Sequence, residues 1–313
     1  MLLDPNARFL VRHELKFRSY RERGKPLSFA TLGTKVDAAN IIENAIADSL
    51  AVLPLENNDA ISITALDVRD KDHLAILLFR RSDPDASTPV FEHMKTKKIR
   101  LADKRVDEAE AISAHLFIDL REYETPNPTN RAILEEMPGL GRSFVEALMR
   151  ALMREHKYNF RDEHGETKET YTIPYMHGVP SETLGGALSG GGIKYVELVR
   201  PPKIKGLDVA GLIPHPERMR IGVKATSRKG MLDSIARVRD WAYHHDWKNL
   251  RVQVETEDKR FRVVDIARNT DAADVLFVHS EPITLENRVN QCTDTINEEL
   301  VEHAKAIFAK KWK

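Results

Sequence analysis

Residues 134–148 constrain this chain most. Leu134-Glu135-Glu136-Met137 and Arg142-Ser143-Phe144-Val145-Glu146-Ala147-Leu148 read as two short helices, and Pro138-Gly139-Leu140-Gly141 leaves room only for a tight turn between them. Such a turn brings main-chain N–H groups to one point. Glycine lets the backbone approach an anion closely, and the start of the next helix adds its positive dipole end. The same residues also suit an ordinary turn between packed helices.

Leu134, Met137, Gly139, Gly141 and Ala147 fall at the spacing of a helix-hairpin-helix element, and the stretch resembles that family of small motifs. The resemblance implies backbone contact with nucleic acid and no reading of bases. The longer helix, Arg142 to His156, turns Phe144, Leu148, Ala151 and Leu152 inward. Arg142, Glu146, Arg150 and Arg154 run down another face at four-residue steps, either continuing a phosphate track from the turn or forming a solvated face with a Glu146–Arg150 ion pair.

Charge excludes a globally basic nucleic-acid binder, because 48 Lys and Arg balance 48 Asp and Glu. Any electrostatic site must therefore be local. Lys194 to Arg251 holds 13 basic against 6 acidic residues, a net of +7, and Met1 to Lys25 holds 7 against 3, a net of +4. Lys194, Lys203 and Lys205 are the candidate phosphate contacts in the first of these. With no apolar run of membrane length and no secretory leader pattern, a cytoplasmic chain is expected. The single Cys292 reads as a buried structural thiol on an apolar helix stripe.

Period-two alternation from Phe9 to Phe17 predicts a strand with Phe9, Val11, His13, Leu15 and Phe17 on one face and a basic outer face of Arg8, Arg12, Lys16 and Arg18. Val36 to Leu53 reads as a helix, and residues 60–68 and 73–79 as a hairpin. Strand candidates follow at 90–101 and 113–120, with a helix start possible at 106–111. The Pro- and Asn-rich residues 124–130 mark the best internal boundary. Tyr158–Phe160 and Thr170–Met176 flank a second hairpin signal, and Leu184 to Gly192 reads as a flexible hinge, since it lacks the Lys-Ser or Lys-Thr of a P-loop. Strands are expected at 193–199, 218–223, 250–255 and 261–266, a helix at 231–245, and a long amphipathic helix carrying Val289, Cys292, Ile296, Leu300, Ala304 and Ile307.

No Gly-x-Ser-x-Gly, His-Glu-x-x-His or Cys-x-x-Cys occurs. Glu197, Asp208 and Lys224, or Glu255, Glu257 and Lys259, supply the residue types of a metal-dependent nuclease, but carboxylates and lysines are frequent enough here for such sets to arise by chance. No catalytic residue, metal or cofactor is expected.

The order of elements, the junction Gly190-Gly191-Gly192-Ile193-Lys194-Tyr195-Val196-Glu197 and the acidic-apolar stretch from Ile296 to Phe308 resemble the RexA-like phage-exclusion and abortive-infection proteins. The resemblance implies a cytoplasmic, homodimeric DNA-binding sensor that works with a small membrane protein to stop phage growth. The chain departs from that pattern in its length and its Pro-Gly-Leu-Gly turn. The sequence thus leads to an α+β fold with mixed or antiparallel sheets and packed helices in two domains, divided as 1–123, 124–192 and 193–313 with the middle segment as helical pair, hairpin and hinge. The expected function is sequence-nonspecific binding of double-stranded DNA in phage defence, through Gly139, Gly141, Arg142, Arg150, Arg154, Lys194, Lys203 and Lys205. A metal-dependent nuclease or other phosphate-handling enzyme, and a protein-interaction module, are the alternatives.

Overall fold

The computed structural model describes residues 4–21, 24–30, 37–55, 58–121, 128–183, 192–200, 217–225, 227–245, 247, 249–255, 261–266, 276–310 and 312. The fold is α+β, with mainly antiparallel sheets. It divides into two compact units, Met1–Val179 with Ser280–Trp312, and Pro180–His279.

The first unit is built on β1 (Ala7–Ser19), β2 (Val52–Pro54), β3 (Ala60–Arg69), β4 (Leu74–Asp83), β7 (Glu110–Asp119), β8 (Thr129–Glu135), β11 (Thr172–Gly178) and β18 (Ser280–Thr284). Their order is β11-β1-β8-β7-β4-β3-β2, and the 13-residue β1 pairs along one edge with β18 near its start and with β11 further on. Helices α1 (Ala38–Ala47) and α2 (Arg142–Glu155) cover one face, over a core that includes Leu15, Phe17, Leu77, Phe79 and Leu116. Residues 283–301 and α4 (Glu298–Phe308) cover the other, over Leu10, Leu74, Ile76, Phe117 and Ile133. Central strands buried on both faces lose the simple alternation of a half-buried strand, which is why Leu74–Phe79 and Ala132–Leu134 read as continuous apolar runs.

Several sequence expectations change here. Thr129–Glu135 is a strand, so the Pro-Gly-Leu-Gly turn joins a strand to a helix and not two helices. Leu134 and Met137 are three apart, as on a helix, but Leu134 belongs to the core strand and Met137 bridges back to Leu140. The basic outer face of β1 is not solvated at its start. Arg8 and Arg12 are buried beneath the 280–312 segment and paired with Glu135 and Glu281. α1 ends at Ala47, and Val52–Pro54 is a strand. The terminal helix begins only at Asn297, whose side chain accepts from the Leu300 N–H, so Val289, Cys292 and Ile296 precede it. Residues 106–111 form no helix and lead into β7. The boundary expected at residue 124 falls inside the first unit, since β7 and β8 are sheet neighbours. The 184–191 hinge lies outside the described residues.

Short hairpins β5 (Val90–Glu92) with β6 (Ile99–Leu101) and β9 (Tyr158–Arg161) with β10 (Thr167–Thr170) complete this unit. In the second unit, β12 (Pro180–Thr183) pairs with β17 (Leu276–Val278). A four-stranded antiparallel sheet runs in the order β14 (Glu217–Ile221), β13 (Gly192–Arg200), β15 (Asn249–Glu255), β16 (Phe261–Ile266). Helix α3 (Arg228–His244), capped by Ser227, packs Met231 and Ile235 against Val196, Leu198, Leu250, Val252 and Val254. No helix among the described residues is long and apolar enough to cross a membrane.

Candidate nucleic-acid interface

The Pro-Gly-Leu-Gly turn is tight and occupied. Gly139 has φ +85°, a conformation that disfavours any side chain, and its carbonyl accepts from Arg81 at 2.5 Å. Arg81 also binds Asp59 through Nε at 2.8 Å and lies 4.8 Å from the Phe144 ring centre. The turn is thereby stapled to β4, to Asp59 just ahead of β3, and to the first residues of α2. Gly141 is the N-cap of α2 in extended backbone, and a Cβ there would meet nothing within 4 Å. Its glycine is not required by the geometry.

The arginine line on α2 is largely committed to the sheet. Arg142 donates to the Met176 carbonyl at 3.2 Å, while Glu146 accepts from the Met176 N–H at 3.0 Å. Together they satisfy both main-chain groups of Met176, on the outer side of β11, where another strand would otherwise pair. Arg150 bonds Glu146 at 2.5 Å and lies over Tyr175, 5.0 Å from the ring centre. Arg154, further along the helix, is exposed. Gly139, Arg142 and Arg150 thus help hold the turn and α2 to the sheet, whereas a Cβ at Gly141 would meet nothing and Arg154 is exposed. His13 is buried with Nδ1 lacking a partner. Its pKa falls to about 4, first because burial disfavours the charged ring and then because Arg142 is near, with a hydrogen bond to the His177 backbone opposing the shift.

The basic segment starting at Lys194 behaves differently. Pairing in the four-stranded sheet sets Tyr195 opposite Gln253, Glu197 opposite Arg251 and Arg220, Val199 opposite Arg218, Gln253 opposite Val263 and Glu255 opposite Phe261. These residues share the face away from α3, because the alternate positions Val196, Leu198, Val252 and Val254 fill the core. A register shift between Ile193 and Tyr195 lets Lys194 join the open face too, where its Nζ sits 4.4 Å from the Phe261 ring centre. Lys194, Arg218 and Arg220 are exposed, and Phe261 and Val263 remain 50% and 55% exposed despite being apolar. Arg220 spans Glu197 at 2.8 Å and the Tyr195 ring at 4.8 Å.

By register this face carries four cations (Lys194, Arg218, Arg220, Arg251) against three carboxylates (Glu197, Glu255, Asp265) and two aromatic rings, with Glu197 and Val199 buried and Lys194, Arg218, Arg220 and Phe261 exposed. It can hold phosphates electrostatically while offering ring faces to bases. Of the lysines expected to contribute, Lys194 is on this surface, and Lys203 and Lys205 lie outside the described residues. Arg218, Arg220 and Arg251 belong to the basic segment but were not singled out in the sequence. Their signal was two-residue spacing in Arg218-Met219-Arg220.

The nuclease sets do not assemble among the described residues. No group of three or more His, Cys, Asp or Glu there is placed to hold a metal, the Glu197 carboxylate is taken by Arg220, and Asp208, Glu257 and Lys259 lie outside them. Comparison with protein-family models, with curated proteins and with solved structures finds no match to this chain.

Proposed function

We propose that this chain is a sequence-nonspecific nucleic-acid-binding protein with DNA as its partner, acting through the open face of the four-stranded sheet. The observation that carries the reading is the joint exposure of Lys194, Arg218, Arg220 and Phe261 on the sheet face away from α3. Cations on extended strands track a phosphate backbone, and phosphate contacts carry no sequence information. A cytoplasmic location and a homodimer are part of the proposal, as is a role in phage exclusion with a small membrane partner, which rests on the layout resemblance alone.

Fluorescence anisotropy with mixed-sequence duplex, single-stranded DNA and RNA probes tests it. The protein retains at least duplex DNA at low salt, and Lys194→Gln with Arg218→Gln lowers the duplex log-log salt slope by about 2 in magnitude. Failure to bind every probe at low salt removes the reading and favours a protein-interaction module.

A further inference from the structure

Between β4 and β7 the chain leaves the sheet as a two-stranded ribbon that carries a cluster of exposed apolar side chains. β5 and β6 pair Val90 with Leu101, Phe91 with Arg100 and Glu92 with Ile99, and every residue of both strands is exposed. Met94 is 80% exposed, Ile99 71%, Val90 56% and Leu101 55%. The ribbon is nonetheless ordered by its own bonds. At the tip, His93 N donates to Lys98 O at 2.9 Å, Lys97 N donates to His93 O at 2.8 Å, and His93 Nδ1 accepts from the Thr96 N–H at 3.2 Å. At the stem, Lys104 Nζ donates to the Pro84 and Ala86 carbonyls, 2.7 Å each. A bare two-stranded ribbon with an aliphatic face is marginal in water, so this one is suited to being covered.

Its charge says by what. From Val90 to Arg105 there are six Lys and Arg (95, 97, 98, 100, 104, 105) against Glu92 and Asp103, a net of +4. A second copy meeting ribbon to ribbon would set these like charges together. A polyanion would neutralise them. The major groove of duplex DNA, about 12 Å wide, admits a two-stranded ribbon, and apolar side chains there contact thymine methyls while flanking cations take phosphates on both walls.

We infer that the β5–β6 ribbon is a second DNA contact, entering the major groove with Met94 at its tip and Lys95, Lys97 and Lys98 on the flanking phosphates. This rests on the DNA-binding reading and adds a site in the other unit of the chain.

The test compares full-length wild type with Lys95→Gln/Lys97→Gln/Lys98→Gln, with Met94→Ala, and with Val90→Ser/Ile99→Ser/Leu101→Ser by anisotropy on duplex DNA across salt, alongside sedimentation. All these side chains are exposed, so circular dichroism stays that of the wild type. The lysine variant loses between 2 and 3 from the slope, about one per phosphate contact. Met94→Ala weakens binding several-fold at unchanged slope, and filling the minor groove with a groove-binding drug leaves both differences intact. A lysine variant with wild-type affinity and slope overturns the inference while leaving the sheet face as the DNA site. A wild type that binds no nucleic acid overturns both. A wild-type dimer made monomeric by the serine variant identifies a second copy as the occupant and overturns it as well.

Discussion

Replacing Glu135 by Ala should loosen the C-terminal segment from the first unit. Arg8, His115 and Glu135 are 2%, 1% and 2% exposed, so none has water to fall back on. The carboxylate accepts from Arg8 Nε at 3.0 Å, from the His115 N–H at 3.1 Å and from His115 Nδ1 at 2.7 Å. His115 Nε2 accepts from the Asn297 N–H, 3.2 Å away, which leaves Nδ1 as the nitrogen that donates to Glu135. Asn297 is the N-cap of α4, and Arg8 also donates to the Val289 carbonyl at 2.8 Å. One carboxylate thus orients two groups that hold residues 289–297 to the sheet.

Its removal leaves a buried guanidinium with carbonyl partners only and two further donors unmet. Breaking a buried ion pair in this way costs about 3–5 kcal/mol. At about 1.4 kcal/mol per decade, amide exchange in Glu298–Phe308 should accelerate by roughly 150- to 4,000-fold in Glu135→Ala. Exchange measured by mass spectrometry under native conditions reads this directly. A change of less than about fivefold, meaning roughly 1 kcal/mol or less, would refute the claim that Glu135 organises the attachment.

Acid should weaken the native state through His13. The unfolded ring takes a proton near pH 6.5 and the native one only near 4, so between these values the unfolded state binds more protons and stability falls as pH drops, by about 3 kcal/mol in full. Urea unfolding from pH 7 to 4 should show this loss in wild type and not in His13→Gln, and Arg142→Gln should shrink it by removing the opposing charge. Gly139→Ala should cost about 1–2 kcal/mol from its positive φ, whereas Gly141→Ala should stay within about 0.5 kcal/mol, as thermal melting can check. Changing Arg142 and Glu146 together to Gln and Ala should lower the melting temperature through the exposed Met176 edge, with duplex-DNA affinity unchanged. Equal stability with lost DNA binding would return the turn and α2 to the interface.

What the sequence conveyed was local. The alternation of Phe9 to Phe17, the hairpin around Asp70–Asp72, the strands from Ile193 onward and the start of α2 after Gly141 all follow from short-range pattern. What escaped was set by distant partners. Arg8 and Arg12 looked solvated because their carboxylates are 127 and 269 residues away, and Leu134 looked helical because a strand buried on both faces loses its period of two. Asn297-Glu298-Glu299 carried a helix-start signal, an Asn cap before acidic residues, that the apolar stripe from Val289 masked. The ribbon lies within residues 90–101, read as a strand, and neither the charge of Met94-Lys95-Thr96-Lys97-Lys98 at its tip nor its exposure was singled out. Within the candidate interface, Lys194 was reached through net charge, whereas Phe261 and Arg220 became neighbours of Lys194 and Glu197 only through strand pairing.

The most direct test of the central claim is the salt dependence of binding to two mixed-sequence duplexes of equal length and unrelated sequence. With about four to six phosphates neutralised, log affinity should fall linearly with log salt at a slope near −4 to −5, and the two duplexes should give the same line. A flat response, or a large affinity difference between the duplexes, would contradict backbone-directed, sequence-independent DNA binding by this chain.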